Sequence, residues 1–353
     1  MDDLTTMTTN GGPAEGGSAL RNYVSFTRPF TLLPPTLGVV SGAVCAFGSK
    51  WNPDPSRRFT WAILLTIVFG SLCAALLNAA SNVINQIYDL PIDRVNKPAR
   101  MLPSGRISLR GAWRATWILY ALAVVPTWFV VIYPADGFLE RLAAPAGESL
   151  WSLWRWHASF FVFVAGMVFT FVYSAPAWGR TKRMPLGANL TIAVPRGMLL
   201  KVAGWCMVGP LLALEPWYLG LVFALFLLGS ASTKDFSDMK GDAEGGCTTL
   251  PIRYGVKRAA LLMAPSFVLP WLLIPLGAVV PDPFVGGRHT ILTGNPWALA
   301  ILGLALAFWG VYTVWLILRD PEALATTENH PSWTHMYLMM MTAQIGLAVS
   351  YLV

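Results

Sequence analysis

Nine stretches of this chain are apolar for long enough to cross a bilayer, which takes roughly 20 residues as helix. They fall near 30–48, 61–88, 112–133, 157–174, 187–213, 217–234, 259–280, 297–318 and 333–353. The fifth is interrupted by Pro195, Arg196 and Lys201. The spacing predicts an all-α, polytopic membrane bundle of about nine transmembrane helices. Since helices that share one lipid-facing bundle make one domain, residues 21–353 are expected to be a single transmembrane unit. Residues 1–20, rich in Gly and Thr with no apolar core, read as a disordered tail and not a cleaved signal. Only 12% of residues are charged, about half the share in a soluble domain. The excess of 25 basic over 18 acidic side chains sits in short loops, where it forms no face for nucleic acid.

Against that background, charge at the end of an apolar run needs a reason. Asn85-Gln-Ile-Tyr-Asp89-Leu-Pro-Ile-Asp93 closes the second run, and Lys234-Asp235-Phe-Ser-Asp238-Met-Lys-Gly-Asp242 closes the sixth. Insertion into a membrane costs roughly 2.5 to 3.5 kcal/mol per Asp, so an acid there reads first as a functional site. Asn85, Asp89 and Asp93 are spaced i, i+4, i+8, which turns each only about 40° from the last and makes one polar stripe. Pro91 is expected to kink or end the helix between the acids. Asp238 and Asp242 repeat the spacing, with Asp235 one turn earlier. The second and sixth runs stand four apart in order, which predicts two similar four-helix halves with one span added.

The loops fix an expected orientation. Residues 94–111 carry Arg94, Lys97, Arg100, Arg106 and Arg110 without an acid, and Arg180, Lys182 and Arg183 repeat the bias. By the positive-inside rule, the N-terminus, both basic loops and both acidic clusters face the cytoplasm, and the C-terminus the opposite side. The connections 134–156 and 281–296 then cap the far face.

Five carboxylates converging on one cavity repel one another unless cations compensate them. Oxygen ligands without His or Cys select hard ions, and Mg²⁺ binds through a few carboxylates together with substrate phosphates. Asn85, Asp89, Asp93, Asp235, Asp238 and Asp242 are the candidate metal ligands. Lys97, Arg100, Lys182 and Arg253, with Arg106, Arg183 and Lys234 on the same side, are candidates for diphosphate contact. Cys45, Cys73, Cys206 and Cys247 show no metal-ligand spacing, and His157, His289, His330 and His335 sit at span edges or in connections.

These residues resemble the UbiA superfamily of intramembrane prenyltransferases. Asn85-xxx-Asp89-xxx-Asp93, followed by Arg94-Val-Asn96-Lys97-Pro98 and Pro103-Ser-Gly105, is similar to the family's first motif, and Asp238-xxx-Asp242 to its second. Tyr173-Ser-Ala-Pro176 with Lys182, and Arg28-Pro29, match further recurrent stretches. Asn85-Gln86, Arg196-Gly197 and the Lys234–Asp242 segment look closest to the homogentisate prenyltransferase type. Ala177-Trp178 and Arg100-Met101 depart from the frequent pattern and bear on acceptor identity. The resemblance implies helices around a central cavity, in which a polyprenyl diphosphate lies with its head on Mg²⁺. Asp89, Asp93, Asp238, Asp242 and Lys234 would serve catalysis, Asn85 would join the diphosphate contacts, and Tyr88 and Tyr173 would form cavity walls. It implies transfer of the prenyl group to an aromatic or lipid acceptor. Two other readings are a terpene cyclase using the same donor without acceptor, and a cation-coupled transporter. Transport predicts acids near the bilayer midplane, whereas these stand at one face.

Overall fold

Proline marks where many helices of this chain begin. Pro34, Pro91, Pro185, Pro251, Pro296 and Pro331 all stand in first turns, where a missing N–H forfeits no helical hydrogen bond. The computed structural model describes residues 18–130, 157–327 and 330–353. Within them each of the nine apolar runs is helical, and the helices gather into a membrane bundle. Four helices are long and apolar enough to cross a membrane on their own: Trp61–Tyr88, Leu214–Lys234, Val256–Val279 and Pro296–Arg319. A fifth, Leu33–Gly48, reaches that length only with Ala19–Thr31, from which it is bent by 55°.

Three of the other runs fall short for local reasons, while Pro331–Leu352 has the length but is less apolar. The Leu109–Val124 helix tightens into a 3₁₀ turn, Val125–Phe129, that contains Pro126, and Ala158–Ser174 is 17 residues long. The fifth run divides into Pro185–Ala193, a π-helical turn at Val194–Leu199 and Leu200–Trp205. Pro195 lies in that turn, where its missing N–H removes one rung of the helical ladder.

The expected tail ends earlier than residue 20. Ala19 and Leu20 already belong to a helix, Ala19–Phe26, whose first turn is capped by Ser18, while residues 1–17 lie outside the described part. So does the connection 134–156. The other far connection is ordered by a bridge between Pro281 and Thr290 and by the Asn295 N–H bonding to the Ser350 carbonyl at 2.8 Å.

Small residues bring helix backbones together where lipid supplies no hydrophobic drive. Gly42 packs on the Lys201 carbonyl and Gly204 on that of Val39, so a methyl group at either position would collide with the facing backbone. At the end of the bundle away from the acids, Glu215 is fully buried. It accepts from Ser49 Oγ (2.6 Å), the Thr293 N–H (2.6 Å), Thr293 Oγ1 (3.1 Å) and the Tyr351 hydroxyl. One carboxyl group thus joins three distant parts of the chain.

Candidate active site

The Trp61–Tyr88 helix stops one residue before the first acid, and a short helix, Leu90–Asn96, follows. The hydrogen-bond ladder nevertheless continues through the break. Asp89 N–H bonds to the Asn85 carbonyl (2.9 Å), Asp93 to Asp89 (2.8 Å) and Lys97 to Asp93 (2.9 Å). The polar stripe expected from the i, i+4, i+8 spacing therefore survives, extended by Lys97. The second motif is built the same way. A 3₁₀ turn, Ala231–Lys234, ends the sixth run, Asp238 precedes the short helix Met239–Glu244, and the Asp242 N–H bonds to the Asp238 carbonyl at 3.0 Å. Asp89 (φ −91°, ψ 2°) and Asp238 (φ −96°, ψ 2°) share one backbone conformation at the head of their short helices. The two helices touch where Ile92 lies against Gly245. The repetition is one of local geometry at the two motifs.

Both motifs open onto one cavity of about 510 Å³, within the range of small-molecule sites. Asn85, Asp89, Asp93, Asp235, Asp238 and Asp242 all line it, as do Lys97, Arg100, Lys182, Lys234 and Tyr173. Four expected residues stand elsewhere: Arg106 turns back to Ser104 and the Ala99 carbonyl, Arg183 is exposed, and neither lines the cavity, nor do Tyr88 and Arg253. Tyr88 is turned edge-on to Trp113 with ring centres 5.8 Å apart and is not a lining residue; one position before Asp89, it falls on another face of the helix. Arg253 is exposed beside Tyr254, its guanidinium 5.8 Å from that ring, and is likewise absent from the lining.

Cations meet the carboxylates in pairs. Lys182 Nζ stands 2.6 Å from Asp89 Oδ2, and Arg180 Nη2 stands 3.5 Å from Asp89 Oδ1. Arg100 Nη1 contacts both oxygens of Asp93 at 2.5 and 2.6 Å. Lys97 reaches across the motifs to Asp238 at 3.3 Å. Asp89 and Asp93 are each only 4% exposed, so these contacts work at low dielectric. Burial opposes the charge on Lys182, but the Asp89 carboxylate outweighs it and holds the ammonium above its ordinary range. Asp235 and Asp242 make no ion pair among the described residues. Asp235 keeps some surface toward the cavity, yet enclosure by protein, with Asp242 and Asp238 nearby, pushes it up to about 8. Burial likewise lifts Asp242 to about 6, with Asp238 and Asp89 adding to the rise and Lys182 opposing it.

Among the described residues no three His, Cys, Asp or Glu side chains gather closely enough to form a ready-made metal shell. The donor set nevertheless suits a hard cation. It consists of carboxylate and amide oxygens, Asp89 Oδ1 is buried without a hydrogen-bond donor, and burial, with nearby acids, raises Asp235 and Asp242. A divalent ion would relieve each of these conditions.

Other lining residues carried weaker sequence signals. Asn78 and Asn82, four apart in the same apolar run as Asn85, donate to the Thr31 and Thr27 carbonyls at 3.0 and 2.9 Å and tie the long helix to the bend near Arg28. Their spacing on the Asn85 side of the helix was the signal. Arg28 and Arg196 line the cavity, and Arg28 Nη2 is buried without a partner. Arg180 adopts a left-handed backbone (φ 42°) and donates to the Tyr88 carbonyl at 3.2 Å; in the sequence it is one more loop charge.

Comparison with known proteins matches this arrangement. The sequence profile of the UbiA prenyltransferase family covers residues 32–135 and 142–329. The chain is 26% identical to digeranylgeranylglyceryl phosphate synthase of Methanobrevibacter smithii, over 72% of this chain and 76% of that protein. It is 28% identical to probable homogentisate phytyltransferase 2 of Oryza sativa, over 80% and 68%. It is 27% identical to the bacteriochlorophyll synthase 34 kDa chain of Chloroflexus aurantiacus, over 92% and 89%. Among solved structures, a UbiA homologue from Archaeoglobus fulgidus bound to DMAPP and Mg²⁺ superposes with a TM-score of 0.60 at 19% identity, covering 93% of this chain and 99% of that one. That likeness is one of fold.

Proposed function

The chain belongs to the UbiA prenyltransferase family and is a prenyltransferase, from which we propose Mg²⁺-dependent transfer of a prenyl group from a polyprenyl diphosphate to an aromatic or lipid acceptor within the membrane. One observation carries the reading: a single cavity holds the Asp side chains of both motifs and Asn85, with Lys and Arg among them, at one end and apolar side chains toward the other. The ligand shape that suits both ends is a strongly anionic head on a hydrocarbon tail.

Asn85, Asp89, Asp93, Asp235, Asp238 and Asp242 would hold the metal. When bound, Mg²⁺ supplies Lewis-acid stabilisation of charge on the diphosphate oxygens. The chain's own cations do the rest of the electrostatic work. Lys182, Arg100 and Lys97 line the cavity, are held over carboxylates and are placed to turn toward diphosphate oxygens as negative charge grows on the leaving group, while Arg180, outside the lining, holds Asp89. Phe163, Phe169 and Tyr173 line the cavity beyond the acids, where they exclude water and offer ring faces to positive charge developing on the allylic carbon. Arg28, with its unpartnered Nη2, and Arg196 add donors for an anionic group.

The relatives' names span glyceryl phosphate, homogentisate, 2-acylphloroglucinol and bacteriochlorophyll enzymes, so the acceptor is the finer point. Purified protein incubated with Mg²⁺, a series of prenyl diphosphates and a panel of aromatic and lipid acceptors decides it. The expected product is a prenylated acceptor plus diphosphate. A cyclised hydrocarbon formed without acceptor would replace the reading with a cyclase, and no consumption of any prenyl diphosphate would refute both. The proposed orientation places the acid-bearing end at the cytoplasmic face.

A further inference from the structure

Lys201 is fully buried within the bundle, and no carboxylate lies within ion-pair distance among the described residues. Such a residue inside a membrane reads first as functional, and nothing in the transfer chemistry above uses it. Its Nζ donates to Ser41 Oγ at 2.9 Å and to Gln344 Oε1, and lies 4.8 Å over the Phe223 ring. Ser41 Oγ in turn donates to the Gln344 main-chain carbonyl at 2.6 Å. An ammonium donates and does not accept, so the Gln344 atom facing it must be the oxygen. The amide nitrogen is thereby turned the other way, toward Gly38. There it finds no hydrogen-bond acceptor among the described residues, while Gln344 is a lining residue of the cavity.

Gln344 also stands at the end of the cavity lining farthest from the acids. On each of four helices the lining residue farthest from the acids is Ala74, Val162, Ala203 or Gln344. Gln344 is the polar member of this floor. Along its own helix the lining runs from Trp333, which sits under Lys234, to Gln344. Eleven residues of helix place the floor about 16 Å beyond the acids.

We propose that the Lys201–Gln344 pair sets the upper length of the prenyl donor, an inference that rests on the donor reading given above. A tail that stops short of the floor leaves the Gln344 N–H groups hydrated. A tail that reaches it strips that water and strands two donors against hydrocarbon, an arrangement that disfavours binding by about tenfold or more. Lys201 acts as a positioning residue, because its charge fixes which end of the amide faces the ligand.

The test compares donors of increasing length, from geranyl through farnesyl and geranylgeranyl to a nine-unit diphosphate, in wild type and in Gln344→Met, Gln344→Glu and Lys201→Met. Two ratios between long and short donors are read: kcat/KM, and Kd from displacement in Mg²⁺-containing buffer. Gln344→Met is expected to raise both ratios about tenfold in favour of long donors. Gln344→Glu keeps a polar floor and a partner for Lys201 and is expected to hold the wild-type ratios. A folding defect lowers binding of all donors alike and leaves the ratios where they were. Should Gln344→Met fold poorly, Lys201→Met, which frees the amide to rotate, is expected to move the ratios in the same direction. Unchanged ratios in a variant that still binds and transfers would overturn the polar floor alone. Failure of wild type to bind any prenyl diphosphate would remove the functional reading beneath it.

Discussion

Lys182 Nζ lies 2.6 Å from Asp89 Oδ2, although 93 residues separate the two in the chain and each stands in a different connection. The pair shows how the site balances its charges. Asp89, Asp93 and Asp238 are each matched to a cation that a phosphorylated ligand would also attract.

Replacing Asp89, Asp93, Asp238 or Asp242 with Ala should each lower kcat/KM by about 100-fold or more, the loss typical of deleting one major electrostatic contact in a transition state. The check is a steady-state assay on protein that elutes as a compact species. Wild-type rates in any two of the four would refute the site.

Lys182→Met should weaken diphosphate binding by about tenfold or more and also leave Asp89 with one cation fewer. Inorganic diphosphate, titrated as a competitor in the presence of Mg²⁺, reads the first effect without any acceptor. Equal affinity in wild type and variant would remove Lys182 from the binding set.

Chelation with EDTA should abolish transfer and Mg²⁺ restore it, since every proposed ligand is an oxygen. The affinity of the ligand-free protein for Mg²⁺ should rise as pH passes from about 6 to about 8, the values to which Asp242 and Asp235 are pushed. Below this window both acids hold protons that the metal must displace; above it neither does. Calorimetry in buffers of different ionisation enthalpy should show proton release on binding near neutral pH, diminishing toward about pH 9. Affinity that fell with rising pH would contradict the assignment of these two acids.

Cysteines placed at Ser104, Thr181 and Gly245, in a protein lacking its native thiols, should all resist an impermeant reagent in intact cells and react once the membrane is opened. The three sites belong to the segments that bring cations and acids together. Labelling of Ser104 and Thr181 from opposite faces would break the proposed orientation.

The acids were legible because a charge in an apolar run has few structural excuses, and i, i+4 spacing puts it on one face. The helical character of all nine runs was legible for the same reason. Their continuity was not, because Pro126 and Pro195 act through backbone geometry that hydropathy does not register. Loop cations could be assigned to a side but not to a partner. Arg100 turns back onto Asp93 seven residues earlier, while Arg253, of the same charge and expected on the same side, stays outside the cavity. Tyr88 shows the limit of reading by neighbourhood, since one residue of helix turns a side chain by about 100°. Lys201 and Gln344 lie 143 positions apart, and nothing local in either segment announces that they meet.

The Glu215 cluster gives the bundle an asymmetry. At the end away from the acids, a single carboxyl group clasps Ser49, Thr293 and Tyr351 in bonds that no ligand competes for. At the mouth, the contacts between segments include ion pairs, Lys182 with Asp89 and Lys97 with Asp238, for which the proposed diphosphate would compete. The two ends of the bundle are therefore held in different ways, by a buried hydrogen-bond cluster at Glu215 and by ion pairs at the two aspartate motifs. Glu215→Ala, far from any chemistry, should accordingly lower thermal stability, read by calorimetry, while leaving the affinity for inorganic diphosphate near wild type.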